Sequence, residues 1–162
     1  MYTLNQETDD DWWEVEALYD LCFAPGREAL SSYRLREASK PVNGLCLVAR
    51  DDLGVLAGAI RFWAVSVGGK PVLLLGPIAV HPTRQAEGLG GILMRDSLER
   101  AKTSNWDRVM LVGDAPYYQK FGFQRLDNVQ MPPPTNPDRV LGLALTDDAW
   151  DGVQGPVVAS GS

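Results

Sequence analysis

The sequence predicts one layered α/β domain with a mixed central sheet and flanking helices. Three observations carry that expectation. Two strand-like runs are joined by a hairpin-type turn, an apolar run passes directly into an amphipathic helix, and short strands follow with only brief turns between them. At 162 residues the chain fits a single domain, so every element must share one core. The expected organisation is one unit over 1–162, with its core in 1–126, a Pro-rich loop at 131–137 and a terminal strand region at 138–162.

Asp9 and Asp10 can cap a first helix, in which Trp12, Val15, Leu18, Tyr19 and Cys22 recur at three- and four-residue spacing until Pro25-Gly26 stops it. Glu28 to Lys40 reads as a second, more polar helical stretch ended by Pro41 and Gly44. Its weak periodicity suits a surface helix of the kind from which lids are built. The runs Leu45 to Arg50 and Val55 to Val67 flank Asp51-Asp52-Leu53-Gly54, which carries hairpin turn residues. After Gly68-Gly69 comes Val72 to Val80, apolar throughout and therefore a strand buried on both faces, but interrupted by Gly76-Pro77.

Beyond His81-Pro82 the period changes to that of a helix with Leu89, Ile92, Leu93, Ser97, Leu98 and Ala101 on one face. Arg108 to Val112 is a short strand, Asp114 to Phe121 a turn or brief helix ending at Gly122, and Gln124 to Leu126 the start of another strand. The prolines of Met131 to Pro137 exclude ladder and helix alike, and a last strand is expected around Val140 to Leu145.

Composition narrows the function classes. A hydrophobic fraction of 45% with 22% charged residues suits a packed core rather than a disordered chain. A net charge of −6 argues against general binding to nucleic acid or anionic membranes, both of which require surplus Lys and Arg. Cys22 and Cys46 have no Cys-x-x-Cys spacing, and with one histidine there is no ligand set for a structural metal, so free thiols in a reducing cytoplasm are expected. The amino-terminal residues lack the basic and apolar regions of a signal peptide, and no apolar run approaches membrane-spanning length.

The most informative segment is Val80-His81-Pro82-Thr83-Arg84-Gln85-Ala86-Glu87-Gly88-Leu89-Gly90-Gly91, between the interrupted strand and the amphipathic helix. Glycines let the backbone turn its N–H groups inward, and the helix start adds the positive end of its dipole, so main chain could hold a diphosphate. The Walker pattern is absent because no Gly-Lys-Ser/Thr follows, and Gly-x-Gly-x-x-Gly spacing is absent too.

This segment resembles the coenzyme-binding motif of the GCN5-related N-acetyltransferase family, in which Gln or Arg, two residues, Gly, one residue, and Gly or Ala follow a strand ending in Val-His-Pro. Here it is Gln85-Ala86-Glu87-Gly88-Leu89-Gly90. Tyr118-Gln119-Lys120-Phe121-Gly122-Phe123 is similar to the family's Tyr-x-x-apolar-Gly-Phe block, and the element order over residues 1 to 126 agrees. The resemblance implies a mixed sheet of about six to seven strands, in which the strand before the loop splays from its neighbour. Acetyl-CoA would bind as cosubstrate, its pantetheine arm against the main chain of Ile78, Ala79 and Val80 and its diphosphate against residues 85–91, Gly91 included. No metal is implied.

By the same resemblance the phenol of Tyr118 would protonate the departing thiolate, which is reasonable with Tyr near pKa ~10 and a thiol near ~8.5. The acceptor would be an amine of a small molecule or a protein. The strand Leu73 to Val80 holds no Glu or Asp, so Asp114 becomes the candidate base, although Asp before a helix ordinarily serves as a cap. The segment has Asp where the family commonly has Asn, and only three residues separate it from the tyrosine. His81 is read as a turn residue. Arg27, Glu28, Arg61 and Trp63 fall where an acceptor pocket could lie but suit surface or core roles. Two other readings fit the loop: a coenzyme-A-binding sensor without turnover, and a nucleotide-phosphate binder. An exposed last strand could pair two copies into a homodimer.

Overall fold

The structure, a computed structural model, describes residues 1–23, 35–36, 39 and 41–159. Within them run the strands β1 (Thr3–Gln6), β2 (Leu47–Arg50), β3 (Leu56–Val67), β4 (Lys70–Val80), β5 (Arg108–Val112), β6 (Gln124–Arg125), β7 (Val129–Gln130), β8 (Val140–Ala144) and β9 (Gly155–Ala159). The helices are α1 (Trp12–Phe23), α2 (Leu89–Thr103) and the single-turn α3 (Ala115–Tyr118). The expected helix over 28–40 lies outside the described residues apart from Leu35, Arg36 and Ser39, as do Arg27 and Glu28.

The main path of the sheet is β1-β2-β3-β4-β5-β8-β6, with β9 added beside the far half of β3 and β7 beside β9. The β4–β5 and β7–β9 pairs are parallel and the others antiparallel. Against an expectation of about six to seven strands the sheet has nine among the described residues, seven on the main path plus β7 and β9. The strand at Val140–Ala144 is therefore not the last, and β8 lies between β5 and β6 while β9 pairs with both β3 and β7. The strand proposed to offer a free edge for self-pairing is occupied on both sides.

Strand alternation divides the core into two faces. Leu47, Ala49, Leu73 and Leu75 pack with Leu89, Leu93 and Met94 of α2. On the opposite face Val48 packs with Val15, Leu18 and Tyr19 of α1, while Val72 and Leu74 join Val129, Met131 and Val157 from the tail. The buried stripe of α2 is Leu89, Leu93, Met94, Ser97 and Ala101, whereas Ile92, expected inside, is 42% exposed. The i, i+4 row of residues 89, 93, 97 and 101 sets the contact line, and Ile92 falls on its flank.

The start of α1 also differs from expectation. Asp9 to Asp11 form a 3-10 turn whose N-cap is Thr8, and the Thr8 amide donates to the Asp11 carboxylate at 2.8 Å. Thr8 is extended and takes the cap, leaving Asp9 and Asp10 inside the turn. The first hairpin forms as read: Asp51 Oδ1 accepts the amides of Leu53 (2.9 Å) and Val55 (3.0 Å), the short-range bonding that makes Asp a turn residue.

Candidate active site

The site begins where β4 leaves β5. The two strands pair only at Leu73 with Val109 and Leu74 with Met110, and β4 then runs on for six residues without that partner. Gly76-Pro77 marks the parting, and the ladder with β3 shifts register between Ile60 and Phe62 opposite it. Two side chains absorb the carbonyls that this break exposes. Trp63 Nε1 donates to Gly76 O at 2.6 Å, and the buried Tyr19 hydroxyl donates to Pro77 O at 3.1 Å. Arg61 lies beneath Tyr19, its guanidinium carbon 5.1 Å from the ring centre, in ion pairs with Glu7 (2.8 Å) and Glu16. Arg61 and Trp63 therefore support the break from within the core.

Beyond the break the ladder decides which main-chain groups face the opening. His81 donates its amide to Ala57 O at 2.8 Å, so Ala79 with Ala59 is the next hydrogen-bonded pair. Alternation turns the main chains of Ile78 and Val80 away from β3, toward the gap. The expectation of three offered residues thus narrows to two, with Ala79 held by β3. The Val80 carbonyl already accepts from Gln85 Nε2 at 3.2 Å, which leaves its N–H turned to the opening.

Pro82 to Glu87 wind into a 3-10 turn, and Gly88 reverses the chain at φ 75° before α2 begins. A side chain at Gly88 would meet no atom, so its glycine is required by the left-handed backbone rather than by space. No side chain caps α2, and the amides of Leu89, Gly90 and Gly91 find no main-chain acceptor among the described residues. These orphan donors at the positive end of a 15-residue helix form an anion seat.

The side chains of the motif are engaged elsewhere: Gln85 on Val80, and Glu87 as acceptor of the Tyr2 hydroxyl, while Ala86 is exposed. Arg84 meets Asp51 at 2.8 Å and Tyr2 at 3.2 Å, tying the turn to the first hairpin. His81 Nδ1 accepts the Thr83 amide at 3.2 Å, the role of a turn residue.

A cavity of about 760 Å³ opens from the gap, with Leu75 to Ile78 on one side and Leu111 to Asp114, Tyr117 and Tyr118 on the other. Asp114 occupies the N-cap position of α3, yet its side chain makes no capping bond. It faces the same cavity as Tyr118. The Tyr118 ring is held by an edge contact with Tyr117 (centres 4.9 Å apart) and by Gly113, where a Cβ would lie 2.5 Å from the ring. Burial pushes the Tyr118 phenol above its ordinary value, assisted by Tyr117 and Asp114 and opposed by Arg139. A phenol so placed keeps its proton at neutral pH and can donate it.

Several site residues escaped sequence reasoning. Tyr19 read only as an apolar position of the first helix and Trp63 as surface or core, while Gly113 carried no reading. Arg95 folds back so that its guanidinium lies 3.2 Å from where a Cβ on Gly91 would stand, and it rests over Phe121. Lys120 covers Tyr117, whose hydroxyl approaches Gly90. Together they make the helix start locally cationic in an acidic chain. The far wall comes from Thr135, Asn136 and Arg139 of the tail and from Phe23 and Arg36, positions without any sequence signature.

A broken strand, a glycine turn with free amides and a tyrosine on the facing wall define an acyl-transferase architecture. The chain belongs to the acetyltransferase (GNAT) family, whose model matches residues 12–123. It is 30% identical over 147 residues to the N-acetyltransferase YhbS of Escherichia coli K12, spanning 88% of this chain and 87% of YhbS. It is 31% identical over 129 residues to YjhQ, a second N-acetyltransferase of that organism, over 76% and 70% of the two chains. The crystal structure of E. coli YhbS in complex with CoA superposes with a TM-score of 0.83 at 28% identity, covering 97% of this chain and 88% of that one. A GNAT family acetyltransferase from Brucella melitensis in complex with acetyl-CoA gives 0.72 at 29% identity, over 98% and 95%.

Proposed function

We propose that this acetyltransferase carries the acetyl group of acetyl-CoA to a primary amine, with Tyr118 as general acid and Asp114 as the base nearest the acceptor. The single observation that carries the reading is the unpaired edge of β4 followed, after one short turn, by the free amides of Leu89 to Gly91. Two similar proteins crystallised with CoA or acetyl-CoA support the same occupant.

The coenzyme supplies an activated thioester. The chain's residues do the rest. The amides of Gly88 to Gly91 and the helix dipole hold the diphosphate, with Arg95 and Lys120 beside them. The N–H groups of Ile78 and Val80, directed into the gap, anchor the arm and stabilise charge that develops on the carbonyl oxygen. Tyr19 and Trp63 keep those amides aimed by fixing the carbonyls at the break. An amine of pKa ~10 is neutral only about one part in a thousand at pH 7, so a proton must leave before attack. The Asp114 carboxylate receives it, directly or through water. As the C–N bond forms and the C–S bond breaks, Tyr118 gives its proton to the sulfur.

Steady-state transfer with free-thiol detection tests the reading. Asp114→Asn should lower kcat while leaving coenzyme affinity intact. A kcat unchanged by that substitution removes Asp114 from the mechanism.

A further inference from the structure

At the acceptor end of the cavity the described residues bring arginine and aspartate together. The protein carries −6 overall, yet among the described residues the charged ones lining this space are Arg36, Arg139 and Asp114. Arg139 differs from most other arginines. Arg50, Arg61, Arg84, Arg100, Arg108 and Arg125 each meet a carboxylate. Arg139 meets none among the described residues, although its neighbour Asp138 pairs with Arg125 at 3.2 Å. A main-chain bond from the Gly113 amide to Arg139 O, 2.9 Å long, fixes it beside the segment that bears Asp114.

We infer that the acceptor is an amine that carries its own carboxylate, an amino-acid-type zwitterion whose ammonium faces Asp114 and whose carboxylate is held by Arg139. The inference rests on the acetyl-transfer reading above and adds the substrate class. Its physical basis is charge complementarity beside the apolar Phe23, Ile78 and Leu111, with Asp114 and Arg139 both exposed and therefore within reach of an incoming acceptor. A polyamine would bring further cations toward Arg139, whereas a zwitterion offers one charge of each sign to Asp114 and Arg139. Arg139 and Asp114 also act with opposite sign on the Tyr118 phenol, which places both charges around the group that would protonate the leaving thiolate. Guanidinium geometry suits a carboxylate in a bidentate fork, which Lys cannot reproduce fully.

The experiment compares transfer to a panel of free amino acids with transfer to the corresponding amino acid amides, which retain the amine and lack the carboxylate. It uses the wild type, Arg139→Gln and Arg139→Lys. The expected wild-type preference for an acid over its amide is about 10- to 100-fold in kcat/KM, the range of a hydrogen-bonded charge pair. Arg139→Gln should erase that preference chiefly through the acceptor KM, with the coenzyme KM unchanged, and Arg139→Lys should restore part of it. Amides used as well as acids overturn the inference and leave the acetyltransferase reading intact. A change in coenzyme KM instead of acceptor KM overturns it too, by assigning Arg139 to the coenzyme. Absence of transfer to any amine, charged or uncharged, overturns the parent reading and this inference together.

Discussion

The two ends of the cavity are built differently. At the coenzyme end the proposed ligand contacts are main-chain amides of β4 and α2, with the side chains of Gln85, Glu87, Tyr19 and Trp63 bonded around them. At the acceptor end the proposed ligand contacts are side chains, Tyr118, Asp114 and Arg139, carried by a short turn and the tail. A backbone site tolerates many sequences but demands particular glycines. A side-chain site tolerates many backbones but depends on single functional groups. Substitutions at the two ends should therefore fail in different kinetic parameters.

The largest effect is expected from Tyr118→Phe. Loss of a positioned general acid should lower kcat by about 10²- to 10⁴-fold while coenzyme affinity, measured by calorimetry, stays the same. The wild-type rate should fall only as pH rises past the ordinary tyrosine range, because burial holds the phenol protonated below that point. That alkaline limb should vanish in the Phe variant. Unchanged turnover would remove Tyr118 from the chemistry.

Next comes Gly113→Ala, whose new Cβ would stand 2.5 Å from the Tyr118 ring. The ring must move, so kcat should drop by about 10-fold or more, and overpacking should cost about 1–3 kcal/mol in denaturant unfolding. The coenzyme KM should change little. If it changes as much as kcat, the two ends are coupled more tightly than their separate construction implies.

At the other end, Gly88→Ala forces a side chain into left-handed backbone, a cost of roughly 1–2 kcal/mol. The account predicts a raised coenzyme KM with kcat at saturation nearly intact. The smallest effect is expected for Trp63→Phe, which deletes one hydrogen bond to Gly76 O and should raise the coenzyme KM by about 3- to 10-fold. A purely catalytic loss there would mean that Trp63 serves the acceptor.

The contrast between the ends also explains what could be read in advance. Val72 to Val80, Gly76-Pro77 and the glycines at 88, 90 and 91 are local in sequence and physically constrained, so the broken strand, the turn and the helix after it were legible. The tail was not: β9 is a single run of five residues whose pairing with β3 spans about ninety residues of chain. Its partner choice comes from packing of Val157 with Val65 and Val67, not from any local pattern. Ile92 was misplaced because helix periodicity locates a stripe only to within one residue of its flank. Arg139 was invisible for a different reason, since an arginine in a Pro-rich loop has no spacing that reveals the cavity it reaches.

The most direct measurement is a crystal structure with acetyl-CoA bound. The account predicts the diphosphate within hydrogen-bonding distance, about 3 Å, of the amides of Gly88 to Gly91, and the pantetheine arm lying along Ile78 and Val80 in the gap between β4 and β5. A coenzyme found elsewhere, with those amides turned to water or to the protein's own carbonyls, would contradict it.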